Sequence, residues 1–156
     1  AYVLNDSIAH PKEDAQKEQR TVNAKLLTVR KGIDHSALWL EDDGSGNGPV
    51  LYDPAGQEYF PEGSDEMRYS DLFTGKFADP QKYIDNFGGD VDVINFRVTT
   101  SEALTISGEF VVSTAPFCAT SCGYALSRVP RFKDVGGFHP GSLHRSLRNA
   151  LENEGK

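Results

Sequence analysis

Two prolines bracket the stretch that most constrains this chain. Between Pro116 and Pro130 runs Phe117-Cys118-Ala119-Thr120-Ser121-Cys122-Gly123-Tyr124-Ala125-Leu126, which holds both cysteines of the 156 residues. Proline suits the first turn of a helix, where its missing N–H costs nothing, and it blocks a helix from continuing. A helix is therefore predicted from about Pro116 to about Arg128, with Ser113 or Thr114 as N-cap. Phe117, Ser121, Tyr124, Ala125 and Val129 fall on or near one face of it. Cys118 lies in the first turn, at the positive end of the helix dipole, where a thiol is biased toward the nucleophilic thiolate. Cys122 lies one turn deeper on the same side; it reads as core-facing, with the nucleophile role as its alternative. Two readings of Cys118 stand at this point: a reactive thiol, or the small buried hydrophobe that a helical cysteine more often is.

Upstream, the pattern is that of strands. Lys25-Leu26-Leu27-Thr28-Val29-Arg30 reads as a first strand, and residues 32–41 as a second, dense in apolar side chains. The run Asp42-Asp43-Gly44-Ser45-Gly46-Asn47-Gly48-Pro49 is made of turn formers. Val50-Leu51-Tyr52-Asp53 returns as a third strand and stops at Pro54. Residues 33–53 thus form a predicted hairpin with a long polar tip. Its geometry sets His35, at the start of one arm, beside Asp53, at the end of the other.

Residues 57–90 read as loops tied down by aromatics, with a short helix around 79–87. Val91–Val98 alternates and reads as a strand. Thr99 and Glu102 have the spacing of a capping box, which opens a helix running to about Phe110. Residues 133–138 read as a glycine-containing turn or short strand. A last helix opens at His139-Pro140-Gly141-Ser142, with Leu143, Leu147, Ala150 and Leu151 on one face. His139 is expected to cap it and His144 to face solvent. Residues 1–24 are polar and charged and read as a leader or solvated arm. Residues 25–156 then form a single domain, a size that supports one adequate core.

Composition removes several function classes. The net charge is −7, and the basic residues are scattered apart from a modest set between Arg128 and Arg148. Phosphate binding needs a concentrated basic face, so nucleic acid is not the expected ligand. No apolar run is long enough to span a bilayer, so no membrane insertion is expected. Two cysteines four apart make neither a zinc ribbon nor a CxxC redox pair, and both are expected to be reduced.

A nucleophilic cysteine needs a group that stabilises its thiolate, a histidine that moves protons, and a polar group that orients the histidine. Cys118, His35 and Asp53 supply that set. The competing readings are a surface or core histidine at 35 and a turn-starting aspartate at 53. His139 and His144 are rival bases.

The segments His35-Ser36-Ala37-Leu38-Trp39, Val50-Leu51-Tyr52-Asp53-Pro54-Ala55-Gly56, Phe117-Cys118-Ala119 and Pro140-Gly141-Ser142-Leu143 carry a resemblance. Together they resemble toxin domains at the C-termini of bacterial Rhs-repeat proteins. Those in turn resemble circularly permuted papain-like cysteine hydrolases of the NlpC-like and lecithin retinol acyltransferase-like group. The resemblance spans roughly residues 25–150. It implies an α+β, permuted papain-like fold, with a small antiparallel sheet packed against the helix that carries the nucleophile. It implies a Cys118–His35 dyad oriented by Asp53, where many permuted members place a second histidine. It also implies release from a larger secreted protein, delivery into target cells and a cognate immunity protein. The Ala1 start agrees with such a release.

The expected function is a cysteine hydrolase toxin that acts on a peptide or protein substrate through an acyl-enzyme, with no cofactor. Acyl transfer and glutamine deamidation would use the same site. A non-catalytic module docking through the aromatics from Tyr59 to Phe87 is the alternative from another class. A metal site built from His35, Asp53 and a cysteine is a third, weaker option.

Overall fold

The structure, a computed structural model, describes residues 20–30, 35–54, 72–110 and 118–154. The described strands are β1 (Thr21–Val29), β2 (His35–Leu40), β3 (Val50–Tyr52), β4 (Leu72–Thr74) and β5 (Val91–Thr99). The α-helices are α1 (Pro80–Asn86), α2 (Thr100–Gly108), α3 (Cys118–Ser127) and α4 (Pro140–Glu154). The strands form one antiparallel sheet in the order β4-β3-β2-β1-β5, so the arrangement is mixed α and β with a small antiparallel sheet. Among the described residues no helix is long and apolar enough to cross a membrane.

Alternation along the strands gives the sheet two apolar faces. Leu26, Leu38, Leu40, Tyr52 and Phe96 share one core with Ile106 of α2, Cys122 and Leu126 of α3, and Leu143 and Leu147 of α4. Leu27, Val29, Ala37, Leu51 and Phe73 share the other with Tyr83 of α1 and with Phe87. On β2, even-numbered residues therefore face α3 and odd-numbered residues, His35 among them, face α1. This two-sided burial is what places a helix-borne thiol and a strand-borne imidazole around one strand edge.

The β2–β3 hairpin forms as its turn residues predict, with Leu40 opposite Val50 and Leu38 opposite Tyr52. Asp42 accepts the backbone N–H groups of Gly44, Gly46 and Gly48, and Asp43 accepts those of Ser45 and Asn47. The polar tip is thus folded on its own carboxylates, and it lies against α2. Gly44 has φ +97°, and a Cβ there would stand 2.4 Å from Leu104 N and 2.5 Å from Thr100 O, both backbone atoms. A left-handed conformation and a backbone clash each cost a substituted residue on the order of 1–3 kcal/mol. Gly44→Ala is expected to lower stability by about 3 kcal/mol in urea titrations, whereas Gly46→Ala, with no atom within 4 Å, loses only the conformational part.

The capping box at the start of α2 is present: Thr99 N–H donates to Glu102 Oε1 at 2.8 Å, and Glu102 N–H donates to Thr99 Oγ1 at 3.0 Å. Glu102 also receives Arg131 Nε at 2.7 Å, and Arg131 Nη1 donates to Glu154 at 2.6 Å. One guanidinium thus joins α2, the turn after α3 and the end of α4.

Three expectations need correction. β1 starts at Thr21, so residues 21–24 belong to the sheet rather than to a leader; Val22 and Ala24 point inward and Thr21 and Asn23 outward. The rest of the proposed leader lies outside the described residues. The loop reading of 57–90 missed β4, which extends the sheet beyond β3 and buries Phe73. Tyr124 does not share a face with Ser121, Ala125 and Val129, since it is 55% exposed and they are buried. Residues 133–138 are turn and bend without a strand. Ser113, Thr114, Pro116 and Phe117 lie outside the described residues, as do Tyr59, Phe60 and Tyr69.

Candidate active site

β3 ends at Tyr52, opposite Leu38, so among the described residues no strand pairs with β2 beside Ser36 on that side. The start of α3 lies there. Ser36 N–H donates to Cys118 Sγ at 3.3 Å. Four residues along α3, the Cys122 thiol donates to Ser36 C=O at 3.8 Å. In an extended strand the N–H and C=O of one residue point to the same side. Two cysteines one helical turn apart therefore complete the ladder that β3 abandons. Both are free thiols; Cys118 is partly exposed and Cys122 is buried.

His35 is the first residue of β2 and Asp53 follows β3, the neighbouring ends that the hairpin predicts. They hydrogen-bond through His35 Nε2 and Asp53 Oδ1. Both are buried, at 1% and 0% exposure, so the pair is sealed from water. His35 also hydrogen-bonds Cys118. With Nε2 committed to Asp53, that contact falls to Nδ1. The structure brings Cys118, His35 and Asp53 into one chain of contacts, and of the three only Cys118 reaches the surface.

Burial alone would push the His35 imidazole toward neutrality. Hydrogen bonds to Asp53 and Cys118, reinforced by their charges, overcome it and raise the pKa from 6.5 to about 9. The imidazole is therefore largely charged at neutral pH, and a cation beside a cysteine favours its thiolate form. Cys122 behaves oppositely. Burial first, then the charges of Cys118 and Asp53, push its thiol well above the ordinary value and keep it protonated. The environment thus separates the two cysteines: one touches the imidazole and reaches solvent, the other is a buried donor.

Two members of the site were not visible in the sequence. One is the Ser36 N–H, a main-chain donor that no residue type announces. The other is Tyr83 of α1, 1% exposed, whose hydroxyl faces Asp53; burial, then that carboxylate, push it well above 10 and hold it a neutral phenol. Its place in a short helix beside the second core could have suggested burial, though not the carboxylate it meets.

The rival histidines are engaged elsewhere. Gly141 N–H donates to His139 Nδ1 at 3.1 Å, the capping role expected of it. His144 does not face solvent, as its sequence position suggested; it is 3% exposed beneath β1. Arg148 Nη2 donates to its Nε2 at 2.7 Å, which leaves Nδ1–H to donate to Thr28 Oγ1 at 3.1 Å. Burial first, then Arg148, lower its pKa and keep it neutral.

No family model matches the chain, and neither a curated protein nor a solved structure matches it. Among the described residues no group of three or more His, Cys, Asp or Glu side chains is placed to hold a metal ion.

Proposed function

We propose that the chain is a cysteine hydrolase acting on an amide or thioester carbonyl through an acyl-enzyme. The observation that carries this reading is the contact of a buried, strongly basic His35 with a partly exposed Cys118 at the first residue of a helix. With the proton of the pair held on His35, Cys118 acts as the thiolate and forms a bond to the carbonyl carbon. The carbonyl electrons move to oxygen, and backbone N–H groups of the first turn of α3 supply donors to that oxygen. On collapse, His35 gives its proton to the leaving amine or thiol. Water then attacks the thioester, with His35 as base, and frees the acid and Cys118. Asp53 holds the imidazole in position and stabilises its charged form.

The same reading takes the arrangement of sheet and nucleophile helix as a permuted papain-like fold. The resemblance to Rhs-associated toxin domains adds the setting: a secreted effector delivered into target cells, countered by a cognate immunity protein.

The test is mass spectrometry of peptidoglycan and proteins from cells expressing the parent chain or Cys118→Ala. Hydrolysis leaves products one water heavier in total than their source. Deamidation leaves a shift of about one mass unit at glutamine, and acyl transfer leaves an adduct. All three should vanish in Cys118→Ala. A modification pattern identical in both chains would overturn the reading.

A further inference from the structure

We propose that Cys122 is a positioning residue for Cys118, acting through the backbone of Ser36. Ser36 is the only residue that the described structure shows bonding both sulfurs: its N–H meets the nucleophile and its C=O meets the buried thiol. Those two groups belong to the successive peptide planes that flank the Ser36 Cα. On the β1 side the register Thr28 opposite Ser36 holds the strand in place. On the other side no described strand pairs with Ser36, and the two sulfurs of α3 bond both of its peptide groups there.

Cys122 is 0% exposed, and its raised pKa keeps the S–H proton available for donation across the working pH range. Anchoring Ser36 C=O holds the local strand twist, and the strand twist aims Ser36 N–H at Cys118. A main-chain donor aimed at a sulfur stabilises negative charge there, and hydrogen bonds to ionised acceptors are about twice as strong as neutral ones. Cys122 itself reaches no reacting atom. This inference rests on the reading of Cys118 as the nucleophile and assigns a purpose to the second cysteine, which that reading leaves unused.

The test compares the full chain with Cys122→Val, which fills the same volume without a donor, and Cys122→Ser, which keeps a donor. The readout is the rate of Cys118 alkylation by iodoacetamide from pH 5 to pH 10, followed by mass spectrometry of the labelled peptide. In Cys122→Val the profile is expected to move to higher pH, with the rate at pH 7 falling about tenfold. Cys122→Ser is expected to stay nearer the parent. Circular dichroism checks that each variant is folded, and Cys122→Ala replaces the valine variant should that one not fold. A folded donor-free variant with the parent profile overturns the proposal, and so does a serine variant displaced as far as the donor-free one, because packing alone would then account for the change. Alkylation needs no substrate, so this result is read separately from the effect of Cys118→Ala on toxicity.

Discussion

Under the proposed toxin function, Cys118→Ala should abolish growth inhibition by the expressed chain while leaving it folded. Removing the nucleophile of a cysteine or serine hydrolase costs at least about a thousandfold in turnover, since the remaining groups only bind and polarise the carbonyl. The stability cost should be small. Cys118 is partly exposed at the first residue of α3, and its sulfur accepts a backbone hydrogen bond from Ser36. Such a bond contributes about 1 kcal/mol. The core of α3 is made instead by Ala119, Cys122, Ala125 and Leu126, which the substitution leaves alone. Growth curves and urea titrations on the same variant check both halves. Full toxicity in a folded Cys118→Ala chain would remove the catalytic reading and favour a docking module. Loss of toxicity with loss of fold would call for Cys118→Ser, which keeps the shape but offers a far weaker nucleophile.

The site was legible where local chemistry determines geometry. The run from Asp42 to Pro49 can only turn, so the arms that flank it must pair, and pairing sets His35 beside Asp53. Pro130 closes the helix that holds both cysteines. Thr99 and Glu102 have the spacing that caps a helix. What stayed hidden depends on contacts distant in sequence. β4 is three residues long, too short for alternation to show, and it exists because β3 offers an edge to pair with. His144 looked exposed because its neighbours Arg145 and Arg148 are charged. Its burial follows from Thr28, 116 positions away, whose hydroxyl gives the ring a partner inside. The Ser36 N–H carries no residue signature at all; it becomes a donor to sulfur only because β3 stops at Tyr52. The start of β1 is different, since Thr21-Val22-Asn23-Ala24 does alternate and was masked only by the charge of the residues before it.

The largest effect after loss of the nucleophile should come from Asp53→Asn. His35 has its pKa raised from 6.5 to about 9, so the folded chain binds a proton that the unfolded chain releases between those values. The resulting stabilisation is fully present below about pH 6.5 and is lost as pH rises through about 9. A shift of that size corresponds to on the order of 3 kcal/mol. Urea titrations at a series of pH values should therefore show the parent losing stability across this window. In Asp53→Asn the carboxylate that supplies both the hydrogen bond and the largest charge on His35 is gone. The alkaline loss should shrink, and the variant should be less stable near pH 6, where His35 keeps its charge in the parent. Breaking a buried ion pair from one side costs about 3–5 kcal/mol, and the amide softens this by retaining an acceptor. Turnover should fall by about 10²–10⁴, because an asparagine can hold the ring but cannot stabilise its cation. A parent whose stability is flat from pH 6.5 to 9 would mean that His35 is not paired as described, and the base of the proposed reaction would have to be sought elsewhere.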